Sequence, residues 1–452
     1  MSSNRHIQIN PANTLANGKI SFKNGNPVVR FEIGERDEYL LPHTLRLVGK
    51  FSIYSDAAGT TAPVDADGCR MPENLGVYSV IDTLSFSTMR TKQTMEYIKN
   101  YNKFMASFLD VSLSKEDAMT YLNNQCLSMP NYKTQQLGVV QNTAVGTKNS
   151  FCLPLVSGMT NSGNPIPLSS QWGIGGLEIS INLAPDSNVL FSSSQTSARL
   201  TDAFYELEEL SLVAETVVPS PEDLAGLRSQ TTNTFEFNTI SSFYQTINST
   251  NATINFNLGQ SHVLSVFGTF VPVRYLNNLN QNGLATLYPL NYDAAGVDSK
   301  SVQRAEIQQL IFTRQGERFP LQYNIDTPQK DYAQEESAPP EVVRGYIDAI
   351  KQFTKGTRCQ LAPLNNRVVD NAVPTTGEPD DIFYKTIPLG GMTAGIGVNY
   401  DSVSGNGVDF RSVPFGLQIQ SDLNTDNPNA LYLFVHSRNT LVSSNGSVQI
   451  MN

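Results

Sequence analysis

Apolar and polar side chains alternate over many short stretches of this chain, the period of a β-strand with one buried face. LRLVGKF, from Leu45 to Phe51, places Leu45, Leu47 and Phe51 on one side. LSVFGTF, from Leu264 to Phe270, repeats the pattern 219 positions later with Leu264, Val266 and Phe270. Both stretches carry a glycine, Gly49 and Gly268, two positions before the closing phenylalanine. Glycine inside a strand marks a bulge or a close backbone approach, so the shared residue predicts shared geometry.

The echo continues in order along the chain. IDTLSF (Ile81, Leu84, Phe86) has the spacing of IQQLIF (Ile307, Leu310, Phe312), and each leads into an arginine, Arg90 or Arg314. YIKNYNKF (Tyr97 to Phe104) and YIDAIKQF (Tyr346 to Phe353) both return apolar residues at helical spacing, which predicts a helix in each. FCLPLVSGM (Phe151 to Met159) faces IPLGGM (Ile387 to Met392), and GLEISINLAPD (Gly176 to Asp186) faces GLQIQSDLNTD (Gly416 to Asp426). Each half closes on a strand-like run, FYELEELSLVAETVV or ALYLFVHSRNTLV. The offset stays between 219 and 249 residues, the drift expected when loops differ in length.

A duplicated chain of 452 residues divides most simply into residues 1–218, a linker at 219–230 and residues 231–452. Pro219 and Pro221 interrupt strand pairing at the join, and Glu222 to Arg228 predicts one short helix. Each half holds about eight short strands, turns rich in Gly, Pro and Asn, and a crossing segment with helix. That inventory points to an all-β chain, each half a two-sheet sandwich or jelly roll. A parallel α/β sheet is excluded because most strands have no helix between them.

Composition narrows the function. The net charge is −10 without a terminal Lys/Arg run, so direct coating of nucleic acid lacks its electrostatic footprint. The opening MSSNRHIQINPANTL has no apolar signal-peptide core, and the apolar run VLSVFGTFVPV is too short to span a membrane, which predicts folding in a cytosol. Cys69, Cys126, Cys152 and Cys359 are far apart, which predicts reduced thiols.

Signs of catalysis are missing. His6, His43, His262 and His436 stand singly, without the His-x-His pair of a jelly-roll metalloenzyme. GIGG, at Gly173 to Gly176, precedes a strand instead of a helix and predicts a turn. Glu206, Glu208 and Glu209, and likewise Asp380 and Asp381, are expected on solvated faces instead of flanking a glycosidic bond. The sequons at Asn248, Asn251 and Asn445 read as Asn-rich loops, and Trp172 as a core or interface anchor. The expectation is therefore no catalytic, cofactor-binding or metal-binding residue and no cofactor.

SNRHIQINP, FKNGNPVVRFEIG, YIKNYNKFMASFL, SGNPIPL, GGLEISINLAPDSNVLF, IFTRQGERFP and LFVHSRNTLVSSNGSVQI span nearly the whole chain. Together they resemble the double jelly-roll major capsid proteins of icosahedral DNA viruses, closest to those of virophages and polinton-like viruses. The resemblance implies two tandem eight-stranded jelly rolls with short helices in the inter-strand loops. It further implies a homotrimer forming a capsomer of pseudo-hexameric outline that tiles the facets of a virion made inside a host cell. The partners it implies are the chain itself, neighbouring capsomers, and penton and minor capsid proteins, with genome contact delegated either to an inner membrane beneath the shell or to other proteins. No sequence-specific nucleic-acid contact and no enzymatic activity are expected. Some virophage relatives carry a further C-terminal part, and a cleavable tail is not expected here. The competing expectation is a two-lobed jelly-roll protein that binds or processes glycans.

Overall fold

The structure is a computed structural model that describes residues 3–13, 15, 17–25, 27–54, 58, 69–70, 75–112, 148–192, 202–273, 276, 307–319, 340–354, 396–401, 406–421, 425, 428–444 and 447–451. The first half runs through β1 (Ser3–Ile9), β2 (Lys19–Ile20), β3 (Val28–Ile33), β4 (Tyr39–Tyr54), β5 (Cys69–Arg70), β6 (Ile81–Thr88) and β7 (Thr94–Lys99). It continues with α1 (Tyr101–Ser112), β8 (Asn149–Pro154), α2 (Gly158–Asn161), β9 (Ile166–Pro167), β10 (Leu177–Leu183), α3 (Asp186–Val189), β11 (Phe191–Ser192) and β12 (Phe204–Val218). After α4 (Pro221–Ser229) come β13 (Thr232–Ile247), β14 (Asn251–Phe256), β15 (Val263–Pro272), β16 (Ile307–Arg314) and β17 (Glu317–Arg318). α5 (Pro340–Thr354), β18 (Ile396–Asn399), β19 (Phe415–Ser421), β20 (Asn429–Ser444) and β21 (Ser447–Met451) complete the described strands and α-helices, and one 3-10 turn, Gly76–Val80, precedes β6.

Two layers form the first lobe, one ordered β1-β12-β4-β8 and the other β3-β10-β6-β7. The second lobe repeats them as β13-β20-β15-β18 and β14-β19-β16-β17. Strand for strand, β4 corresponds to β15, β6 to β16, β10 to β19 and β12 to β20, the pairs joined by the sequence echo. Each lobe is a jelly roll, and the chain is a double jelly roll.

The lobes are not separate beads. β7 of the first lobe meets β13 of the second in parallel, with Ser241 opposite Tyr97, so two layers merge into one nine-stranded sheet. One buried cluster fills the first lobe and also takes in Phe267, Val271, Tyr346, Ile350, Phe353, Tyr432 and Phe434 from the second. A second cluster, with Val266, Phe270, Phe312, Leu417, Leu433 and Val435, lies wholly within the second lobe. β15 therefore departs from the one-faced strand expected from its pattern: Val266 and Phe270 face one cluster, Phe267 and Val271 the other.

The predicted helix at Tyr97 to Phe104 starts later. Tyr97 and Lys99 are exposed around buried Ile98, the alternation of a strand, and they end β7. Asn100 then turns to φ +54°, a left-handed conformation that Asn tolerates, and its carbonyl accepts from the Lys103 and Phe104 amides as α1 begins. α4 forms where Pro221 sits in its first turn and the Ser220 hydroxyl accepts from the Asp223 amide at 3.2 Å. The stretch IPLGGM, residues 387–392, lies outside the described residues.

Candidate functional site: the joint between the lobes

The side chains singled out for possible chemistry are dispersed. His6 and His262 are exposed, His43 is half-buried on β4 and His436 is buried on β20. Among the described residues no group of three or more His, Cys, Asp or Glu is placed to hold a metal ion. Cys152 is a free thiol on β8, whereas Cys126, Cys359, Asp380, Asp381 and Asn445 lie outside the described residues. Asn248 and Asn251 are exposed at the β13–β14 turn. GIGG is a turn, with Gly175 and Gly176 both at positive φ.

Glu206, Glu208 and Glu209 differ from the solvated face expected of them. Glu206 and Glu208 are buried on β12 and paired, Lys19 Nζ lying 2.6 Å from Glu206 and Lys148 Nζ 2.5 Å from Glu208. Only Glu209 is exposed, 2.6 Å from Lys50. Each is thus held in an ion pair with a lysine distant in the chain. Trp172 is fully buried against Tyr39, and its indole N–H donates to Asp37 at 3.2 Å, so no ring face is open to a sugar. A shallow cavity of about 420 Å³ near His262 offers Asp409 as its carboxylate, and Arg411 holds that group down at about 2.

Chemically dense contacts converge instead where the lobes meet. Glu96, on β7, is 2 % exposed. Its carboxylate accepts from the Gly158 and Met159 amides of α2 at 2.8 and 3.1 Å, and from the Ile240 amide of β13 at 2.7 Å. One side chain thus ties three elements across the joint. Burial pushes the Glu96 carboxyl up to about 7, against the opposing pull of these N–H donors. α2 can come this close because Gly158 has no side chain: a Cβ there would lie 2.5 Å from the Thr239 carbonyl carbon. Outside the clasp, Tyr97, Lys99, Ser241 and Gln260 line a groove of about 390 Å³.

Aromatic packing closes the other side of the sheet. Phe104 of α1 meets Phe353 of α5 edge-on at 5.6 Å and Phe434 of β20 at 5.3 Å, and Phe267 of β15 stacks among them. The phenylalanines that end the two echoing segments, Phe104 and Phe353, are therefore in contact. His436 abuts Phe353 at 5.4 Å, and among the described residues neither ring nitrogen has a hydrogen-bond partner. Burial presses its imidazole down to about 3, so it is neutral at physiological pH. This arrangement packs side chains of both lobes against one another. It can hold two jelly rolls at a fixed angle.

The same two-lobed arrangement occurs in solved viral structures. PBCV-1 VP54, fitted into a cryo-EM reconstruction of the virophage Sputnik, matches over 100 % of this chain and 97 % of its own, with TM-score 0.58 at 11 % identity. This chain has the fold of viral major capsid proteins. The double jelly roll of the Faustovirus major capsid protein matches over 97 % and 90 % of the two chains, with TM-score 0.56 at 8 % identity. The Sputnik virophage structure determined by cryo-EM matches over 99 % and 88 %, with TM-score 0.53 at 11 % identity. No protein-family model matches the chain, and no curated protein sequence does.

Glu96 and the β7–β13 joint gave no signal in the sequence reading. The partners of Glu96 are backbone amides 62 to 144 residues away, which leave no trace in side-chain pattern. The one available sign was an acid beside Met95 in a strand whose buried positions are otherwise apolar.

Proposed function

We propose that this chain is a structural major capsid protein, three copies of which form a capsomer with six similar lobes that tiles the facets of an icosahedral virion. The observation that carries this reading is the rigid coupling of two like lobes by one sheet, one shared core and the Glu96 clasp. A closed ring of three two-lobed chains imitates six-fold symmetry, and it does so only if the angle between lobes is fixed within each chain. The fold shared with viral major capsid proteins supports the same conclusion.

On this reading the chain divides at residues 219–230 into two jelly rolls, 1–218 and 231–452, and acts through its surfaces instead of an active site. It resides in the virion, having been assembled inside the host cell, and its partners are further copies, neighbouring capsomers, and penton and minor capsid proteins. A net charge of −10 supports leaving genome contact to other components or an inner membrane. Trimerisation then buries an obligate interface on the order of 2,000 Å² or more.

Light scattering on the purified protein, with negative-stain images of the same fraction, tests the proposal. A mass near 149 kDa, three times the 49.6 kDa chain, with hexagonal top views is expected. A stable single-chain mass would overturn it and return attention to glycan binding.

A further inference from the structure

Where β7 and β13 part, the joint leaves a groove that the Glu96 clasp does not fill. The two strands share a single bridge, Tyr97 opposite Ser241. Glu96 is buried with its carboxylate already bonded to three backbone amides, whereas Tyr97 and Lys99 alternate with it along β7 and are exposed. Those two residues line the groove together with Ser241, Gln260 and Asn439. Its volume, about 390 Å³, falls within the range of small-molecule sites.

The groups on its walls have a definite chemistry. Tyr97 is 45 % exposed, a large ring left in solvent on a strand whose Met95 and Ile98 are buried. Lys99 Nζ lies 5.6 Å from the centroid of that ring, a cation–π contact that keeps the ammonium beside it. The other polar groups are neutral. The Gln260 side-chain carbonyl accepts from Ser437 at 3.4 Å, and the Asn439 amide donates to Thr239 Oγ1 at 3.3 Å. Asn439 Oδ1 has no donor among the described residues, although the residue is 5 % exposed. Buried acceptors are ordinarily satisfied, so an unmet one beneath an open groove points to a ligand that carries hydroxyl donors. Among the described residues lining the groove, Glu96 is the only acid and is buried, so the accessible charge is the single positive charge of Lys99.

We propose that this groove binds an acidic sugar, a hexuronic acid residue of a glycan, which gives the chain a carbohydrate-recognition function beside its structural one. The apolar C–H face of the pyranose lies against Tyr97, its carboxylate meets Lys99, and its hydroxyls are shared among Ser241, Gln260 and Asn439. The walls discriminate against other ligands. A phosphate group is held by several cations or by a cluster of backbone N–H groups, and the groove supplies one cation. An apolar ligand would cover the Gln260 and Asn439 amides without pairing them, which is costly. The site lies within one chain and does not depend on the ring reading.

Saturation-transfer NMR on the full chain tests this, with methyl β-D-glucuronide as the probe and methyl β-D-glucoside, which differs only in lacking the carboxylate, as its neutral counterpart. The glucuronide is expected to receive saturation at its ring protons and to bind about tenfold more tightly than the glucoside, the gain of one charge-assisted contact. Lys99→Gln should bring the glucuronide down to the level of the glucoside, and Tyr97→Ala should remove transfer to both. Both side chains are exposed, so neither substitution should move the melting temperature. Lys99→Gln by itself keeps the test decisive if Tyr97→Ala folds poorly. Absence of transfer to either sugar at millimolar concentration overturns the proposal. So does transfer that persists in both variants, which places the sugar elsewhere, and so does equal binding of the two sugars, which removes the role of Lys99.

Discussion

β4 and β15 are two copies of one strand in different surroundings. Their inward faces are alike, Leu45, Leu47 and Phe51 matching Leu264, Val266 and Phe270, and all six are buried. Their outward faces are not. Arg46, Val48 and Lys50 are half-exposed on β4, whereas the corresponding Ser265, Phe267 and Thr269 of β15 are buried under the aromatic cluster of α1 and α5. The copy at the joint between the lobes thus carries no charge on its outward face. A charge buried there without a partner would cost several kcal/mol.

The shared glycines serve the two copies differently. Gly49 lies opposite a bulge, where the β4–β12 register jumps between Glu208 and Ser211 and Glu209 takes φ +52°. A Cβ at Gly49 would lie 2.7 Å from Leu210 Cδ2 and 3.0 Å from Phe151, side chains able to shift, and 3.2 Å from the Glu208 carbonyl oxygen beside the bulge. Gly268 pairs in unbroken register, and its Cβ would lie 2.2 Å from the Tyr432 carbonyl oxygen, which cannot move without breaking the sheet.

The contrast can be broken most severely at Gly268. Gly268→Ala should leave little soluble folded protein, a loss on the order of 3 kcal/mol or more, read as yield and melting temperature. Phe267→Ala comes next: emptying a site between two lobes should cost about 3–5 kcal/mol in denaturant unfolding. At the joint, Glu96→Gln puts an amide NH2 where N–H donors already point. Because the folded carboxyl titrates near 7 and an unfolded one near 4.5, the native state holds the extra proton, so the stability Glu96 contributes is full below 4.5 and lost as pH rises through 7. The melting gap between wild type and Glu96→Gln should therefore be widest in acid and shrink by roughly 3 kcal/mol by mildly alkaline pH. A gap that widens with pH would falsify this account of the clasp. Gly49→Ala should cost about 1–2 kcal/mol, since side chains can yield. Val48→Ala, on the half-exposed face, should cost less than about 1 kcal/mol, the smallest of the series and the direct counterpart of Phe267→Ala.

Sequence pattern made the strands legible because period-two alternation is a local property. It also exposed the duplication, since β4, β6, β10 and β12 each kept enough apolar spacing to be matched with β15, β16, β19 and β20. The double burial of β15 was present in the sequence too, in the replacement of Arg46 and Lys50 by Ser265 and Thr269, but only a comparison of outward faces would have found it. Tyr97 to Lys99 misled because Tyr, Ile and a following Phe fit both a strand leading into a helix and a helix alone. The joint itself was illegible: its register rests on one strand bridge, and its clasp on backbone amides, neither of which constrains residue type. Glu206 and Glu208 misled for a related reason, since their lysine partners come from residues 19 and 148.

The claim that underlies both the proposed ring and the contrast between β4 and β15 is that the two lobes are one body. Scanning calorimetry of the intact chain tests it most directly. A single cooperative transition, lowered as a whole by Phe267→Ala, is the predicted result. Two resolved transitions, of which Phe267→Ala moves only the one belonging to the second lobe, would show independent lobes and contradict the account.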